Sequence, residues 1–125
     1  MKQAITAAGA PAAIGPYSHA VQAGDFLFTS GQIPLDPETG KLVGGDIEAQ
    51  ARRVFQNIEA VLQAAGMDFG NVVKTTVFLT DLSDFAAFNA LYGILFPEAP
   101  PARSCVQVAA LPAGAKIEME LVAHK

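Results

Sequence analysis

An α+β fold, with two helices laid against one mixed sheet, is predicted by two features of this chain of 125 residues. Apolar residues recur at three- and four-residue steps in two segments, the period of a helix buried along one side. The other apolar runs are short and β-branched or alternating, the period of strands. Gly, Pro and Asp punctuate these runs without any linker, repeat or low-complexity tract. The resulting order, β-β-α-β-α-β-β, fits one domain over residues 1–125.

Ser18 to Ala23 and Phe26 to Ile33 flank a Gly24-Asp25 turn and read as a hairpin. Pro34 to Gly40 is a loop, and Gly44-Gly45 closes the irregular stretch. Asp46 is placed to cap a helix, its carboxylate accepting from free N–H groups of the first turn. Ile47, Ala51, Val54, Phe55, Ile58, Val61, Leu62 and Ala65 then recur at helical spacing, and Gly66 is a natural stop. Val72 to Leu79 reads as a buried strand. Asp81 or Ser83 opens a second helix carrying Phe85, Phe88, Tyr92, Leu95 and Phe96, which Pro97 ends. Two strands finish the chain.

Those last strands carry the most suggestive charges. Side chains alternate between faces along a strand, so Ile117, Met119, Leu121 and Ala123 form an apolar face with Glu118 and Glu120 opposite. In the preceding strand, Ser104, Val106 and Val108 fall together and leave Arg103, Cys105 and Gln107 on the other side. If the two strands pair, a guanidinium and a carboxylate line one wall. That wall suits a small anionic substrate attacked by water, and equally an ordinary cross-strand ion pair worth up to ~1 kcal/mol.

Composition narrows the class. Apolar residues make up 51% and charged residues 16%, against roughly 25% charged in an average soluble domain. Phe26-Leu27-Phe28, Val72-Val73 and Val77-Phe78-Leu79 are apolar on both strand faces, and no third layer exists to cover the second. Self-association is therefore expected. No apolar run approaches the ~20 residues of a membrane helix, and Met1 to Ile5 lacks a signal-peptide core. A single cysteine fits a reducing cytoplasm. Net charge of −4 with no Lys/Arg run argues against a nucleic-acid partner.

Familiar catalytic signatures are missing: there is no G-x-G-x-x-G, Walker loop or G-x-S-x-G elbow. His19 and His124 lie far apart without a Cys/His cluster, so no metal site is expected. Arg103 favours a Cys105 thiolate, yet no partner base is evident, and a half-buried structural cysteine is the better reading. Ser30, beside Gly31 at a strand end, fits either a local hydrogen bond or substrate contact. Tyr17, after Ile14-Gly15-Pro16, fits either packing or a rigidly presented hydroxyl.

Gly15-Pro16-Tyr17-Ser18, Thr29-Ser30-Gly31-Gln32-Ile33-Pro34, Lys74-Thr75-Thr76-Val77-Phe78-Leu79, Phe85 through Asn89 to Tyr92, Pro101-Ala102-Arg103-Ser104 and Ile117-Glu118-Met119-Glu120 occur in order. Together they resemble the signatures of the reactive-intermediate deaminases, the RidA or YjgF-like proteins, from about Pro11 to Ala123. The resemblance implies a chorismate-mutase-like fold, a homotrimer with sites between subunits, and no cofactor. It implies hydrolysis of 2-imino acids and their enamine tautomers, such as 2-aminoacrylate, 2-iminopropanoate and 2-iminobutanoate, to 2-oxo acids and ammonia. By the same resemblance Arg103 grips the substrate carboxylate and Glu118 positions the attacking water. Tyr17, Ser30, Gly31, Asn89 and Cys105 line the pocket, Gly31 and Cys105 partly through their backbone. The rival readings are a non-catalytic binder of 2-oxo acids, a holdase, and a ribonuclease or translation inhibitor.

Overall fold

The computed structural model describes residues 1–125. Its strands are β1 (Lys2–Ile5), β2 (Ala20–Ala23), β3 (Phe26–Thr29), β4 (Val72–Leu79), β5 (Ala102–Gln107) and β6 (Ile117–His124); its helices are α1 (Ile47–Ala64) and α2 (Phe85–Leu95). All six strands form one sheet in the order β1-β2-β3-β6-β4-β5, antiparallel except for the parallel β4–β5 pair. Both helices cover the same face. The expected α+β class holds.

Local chemistry explains the helices. Asp46 Oδ1 accepts from the Ala49 N–H at 3.0 Å, and the expected apolar stripe from Ile47 to Leu62 is buried. Asp81 caps a short 3₁₀ turn (Leu82–Asp84) that leads into α2. In α2, Phe88 and Tyr92 are buried as expected, Leu91 joins them, and Phe85 and Leu95 are only partly covered. The core lies between this helical layer and Leu27, Val77, Leu79, Ile117 and Met119, all fully buried.

Three expectations need correction. An N-terminal strand, β1, precedes the expected hairpin: three of its four residues are exposed and Lys-Gln-Ala-Ile has no strand alternation. Its pairing with β2, not its own pattern, makes it a strand. The second hairpin strand ends at Thr29 instead of Ile33. Between the pairs Phe28↔Val122 and Gln32↔Met119 the register slips by one residue, so the chain bulges at Ser30-Gly31. The Thr29 hydroxyl accepts the Leu121 N–H at 3.0 Å there.

The third correction concerns the site. β5 and β6 do not pair, because β4 lies between them. Arg103 stands opposite Thr75, on the helix-covered face, whereas Glu118 stands opposite Phe78, on the bare face. Within one chain the guanidinium and the carboxylate cannot line one wall. The bare face is apolar as anticipated: Phe26, Phe28, Val73 and Val106 are 43–48% exposed.

Candidate active site

The acidic region is a cleft of about 310 Å³ between coil and sheet. Pro11, Ala12, Ile14 and Tyr17 form its outer wall, Ile33, Leu35 and Pro112 its apolar side, and Ser30, Gly31, Gln32 and Glu118 its sheet side. The bulge aims this strip at β6. A Cβ added at Gly31 would sit inside the Glu118 carboxylate, so the close approach of that carboxylate to backbone requires glycine here. Half-burial, and secondarily the Glu120 charge on the same strand face, raise the Glu118 pKa above its ordinary value. Glu120 itself is exposed.

Two hydroxyls complete the cleft. The Ser30 hydroxyl donates to the Ser18 carbonyl at 2.6 Å, leaving its oxygen lone pairs free to accept. The Tyr17 oxygen accepts from the Ile14 N–H at 3.2 Å, which holds the ring against the turn while its proton stays available to donate. Local hydrogen bonding and contact with a ligand are thus compatible for both residues.

The basic region lies across the sheet. Arg103 Nη1 donates to Asn89 Oδ1 at 2.7 Å. Its Cζ lies 4.8, 5.3 and 5.9 Å from the ring centroids of Tyr92, Phe85 and Phe88. The nearest ring is itself fastened, the Tyr92 and Thr75 hydroxyls lying 2.7 Å apart. None of these partners is acidic, so the positive charge is oriented without being neutralised. Cys105 is half-buried beside it, and burial raises the thiol pKa against a smaller opposing effect of Arg103. The side chain is a protonated thiol at neutral pH, in keeping with the structural reading.

Of the residues singled out from sequence, the fold therefore gathers Tyr17, Ser30, Gly31 and Glu118 in one cleft and Arg103, Asn89 and Cys105 in another place. The fold adds an aromatic seat for Arg103 to those residues. Its signal was present: Phe85, Phe88, Asn89 and Tyr92 fall at i, i+3, i+4 and i+7, one stripe of a helix. No group of three or more His, Cys, Asp or Glu side chains is arranged to hold a metal ion, and no helix is long and apolar enough to cross a membrane.

This α+β sheet with its divided polar site has close relatives. The Endoribonuclease L-PSP family model matches residues 7–125, and the chain belongs to that family. It is 57% identical over 124 residues to "Protein DfrA" of Myxococcus xanthus, covering 98% of this chain and 95% of that one. It is 51% identical over 126 residues to the 2-iminobutanoate/2-iminopropanoate deaminase of Escherichia coli K12, covering 98% of both. Among solved structures, RidA from an Antarctic Psychrobacter superposes with a TM-score of 0.95 at 48% identity, over 98% of this chain and 99% of that one. The YjgF gene product of Escherichia coli gives 0.93 at 48% identity over 98% of both. The RidA/YjgF resemblance drawn from the motifs is thereby borne out.

Proposed function

We propose that this protein is a cofactor-free hydrolase that converts small 2-imino acids, and the enamines that tautomerise to them, into 2-oxo acids and ammonia. The observation that carries the reading is the caged Arg103, a cation oriented by Asn89 and aromatic rings with no acid beside it. Its fork offers two parallel donors to a substrate carboxylate and so fixes both position and plane. The names of relatives about half identical over nearly the whole chain support the same chemistry.

The proposed sequence of events follows from the groups available. Arg103 holds the carboxylate, which aims the imine carbon at a fixed point. Water held by Glu118 attacks that carbon: the C–O bond forms, the C=N π electrons move to nitrogen, and Glu118 takes the water proton. Within one chain, half-burial raises the Glu118 pKa and makes it a stronger base than an ordinary carboxylate, a rise that a neighbouring copy's Arg103 opposes. Glu118 returns the water proton to nitrogen and relays the adduct's hydroxyl proton to it as the second; the C–N bond breaks, ammonia leaves with the bonding pair, and the C=O bond of the 2-oxo acid forms. The Ser30 oxygen is an acceptor for the substrate N–H, and the Tyr17 hydroxyl is a donor to the polar intermediate.

Arg103 and Glu118 lie on opposite faces of one sheet, so this chemistry requires Arg103 of one copy beside Glu118 of another. A homotrimer with three intersubunit sites meets that need and also covers the bare face of Phe26, Phe28 and Val106, a patch monomers rarely expose. The proposed compartment is the cytoplasm. A nuclease reading has less support: the net charge is −4, and His19 is buried with both ring nitrogens engaged. Purified protein incubated with freshly generated 2-aminoacrylate, with ammonia and pyruvate followed over time, tests the activity. Release no faster than in buffer leaves the 2-oxo acid binder or holdase reading in its place.

A further inference from the structure

The outer wall of the cleft, Pro11 to Tyr17, belongs to a stretch between Ile5 and Ala20 that is neither helix nor strand. Ordering such coil costs roughly 1–2 kcal/mol per residue in backbone entropy, so something must fix it against the sheet. Its own hydrogen bonds, Ala10 N–H to Ala7 O, Tyr17 N–H to Gly15 O and Ile14 N–H to the Tyr17 oxygen, span at most three residues. They shape the coil without anchoring it.

Ala7 and Ala10 pack into the core, and the polar anchor is a buried histidine with no part in the chemistry above. His19, 5% exposed at the foot of β2, accepts the Ala7 N–H on Nδ1 at 2.9 Å. That acceptor role puts the ring proton on Nε2, which donates to the Pro11 carbonyl at 2.7 Å. On its other side, the His19 carbonyl accepts the Ser30 N–H at 2.9 Å, and the neighbouring Ser18 carbonyl accepts the Ser30 hydroxyl. One residue thus links the coil wall to the Ser30-Gly31 strip that faces Glu118.

The geometry assigns His19 as a positioning residue of the cleft: its neutral, Nε2-protonated ring staples Ala7 and Pro11 and so sets how far the Tyr17 wall stands from Glu118. The link to catalysis rests on the deaminase reading; the staple itself does not. His19→Phe keeps a ring and removes both bonds, whereas His19→Gln keeps one acceptor and one donor. With 2-iminopropanoate as substrate, His19→Phe is expected to raise KM about tenfold with kcat within about twofold, and to weaken pyruvate binding equally; His19→Gln is expected to stay within about threefold of wild type. A folded His19→Phe protein with wild-type KM and pyruvate affinity overturns the role, as does a His19→Gln protein as impaired as His19→Phe.

Two substrate-free measurements on wild-type protein decide the staple if His19→Phe fails to fold or the protein proves inert toward imino acids. Nitrogen-15 spectra of the imidazole should give the neutral Nε2–H tautomer, and the Ala7 amide should resist hydrogen exchange. An Nδ1–H tautomer or a freely exchanging Ala7 amide overturns the proposal whatever the enzyme does.

Discussion

Arg103 sits on an edge strand roofed by a helix, whereas Glu118 sits on a central strand beneath coil. The arginine is seated by close-packed elements: α2 supplies Asn89, Phe85, Phe88 and Tyr92, and β4 supplies Thr75 to lock the nearest ring. Glutamate is surrounded by a strand bulge and by coil that depends on a few side-chain bonds, those of His19 and Ser30 among them. The contrast has a physical logic. A cation seated by packed elements is held from several sides at once, while a cleft walled by coil takes its shape from the few side-chain bonds that hold the coil.

The sharpest probe of the acidic half is Glu118→Gln, which keeps shape and removes the proposed base. Turnover should fall by about 10²–10⁴-fold while pyruvate still binds. Wild-type rate should rise with pH through the Glu118 carboxyl pKa, an inflection the variant lacks; half-burial pushes that value up and the neighbouring copy's Arg103 pulls it down, so Arg103→Ala should move the inflection upward. Because folding raises this pKa, the protonated form stabilises the fold. That contribution is full below the ordinary carboxyl value and is lost as pH climbs through the raised one. In the Arg103→Ala background, where no guanidinium faces the carboxylate, thermal melts should therefore find Glu118→Gln more stable than its Glu118 parent at pH 7, with the difference vanishing in acid. Glu120→Gln, an exposed change, should leave turnover near wild type; the opposite pattern would exchange the roles of the two carboxylates.

For the basic half, Arg103→Ala should cost about a hundredfold or more in kcat/KM without disturbing assembly. Arg103→Lys should recover little, since a point charge does not reproduce two parallel donors. Mixing the two halves tests their division between subunits directly. Arg103→Ala and Glu118→Gln proteins, each nearly inactive, should regain roughly a quarter of wild-type activity when unfolded and reassembled together, the random share of intact interfaces in a closed ring. Inactive mixtures would return both residues to one subunit and contradict the sheet register.

Smaller effects separate the supports of each half. Gly31→Ala pushes the Glu118 carboxylate aside, so kcat should drop about tenfold with the fold intact in circular dichroism. Tyr92→Phe unties the ring beneath Arg103 and leaves the buried Thr75 hydroxyl unpaired. It should lower stability by about 1 kcal/mol in denaturant titration and raise KM only a few-fold.

Much of this was legible before folding. Period gives both helices, α1 after its Asp46 cap and α2 along Phe85, Phe88 and Tyr92, because a helix's pattern is local; the expected cap of the second helix at Asp81 or Ser83 instead falls on the 3₁₀ turn before it, where Asp81 caps. It also separates Glu118 and Glu120 from the apolar face of β6, since alternation is a property of one strand. The bare apolar face follows from Phe26-Leu27-Phe28 in the same way. Residue chemistry and motif order then single out Arg103, Asn89, Tyr17, Ser30 and Gly31.

Only the tertiary structure decided what those residues could reach. Strand order and register are long-range properties: nothing in β5 or β6 announces that β4 will lie between them, or that it will set Arg103 level with Thr75 and Glu118 level with Phe78, on opposite faces. β1 exists because β2 offers it an edge, and the bulge at Ser30-Gly31 exists because β3 must meet β6 one residue out of step. His19 reads in sequence as an isolated residue; its function as a staple depends on Ala7 and Pro11 returning to its two nitrogens. Periodicity constrains each element by its own side chains, whereas pairing, register and the two ends of a buried hydrogen bond are set by partners distant along the chain.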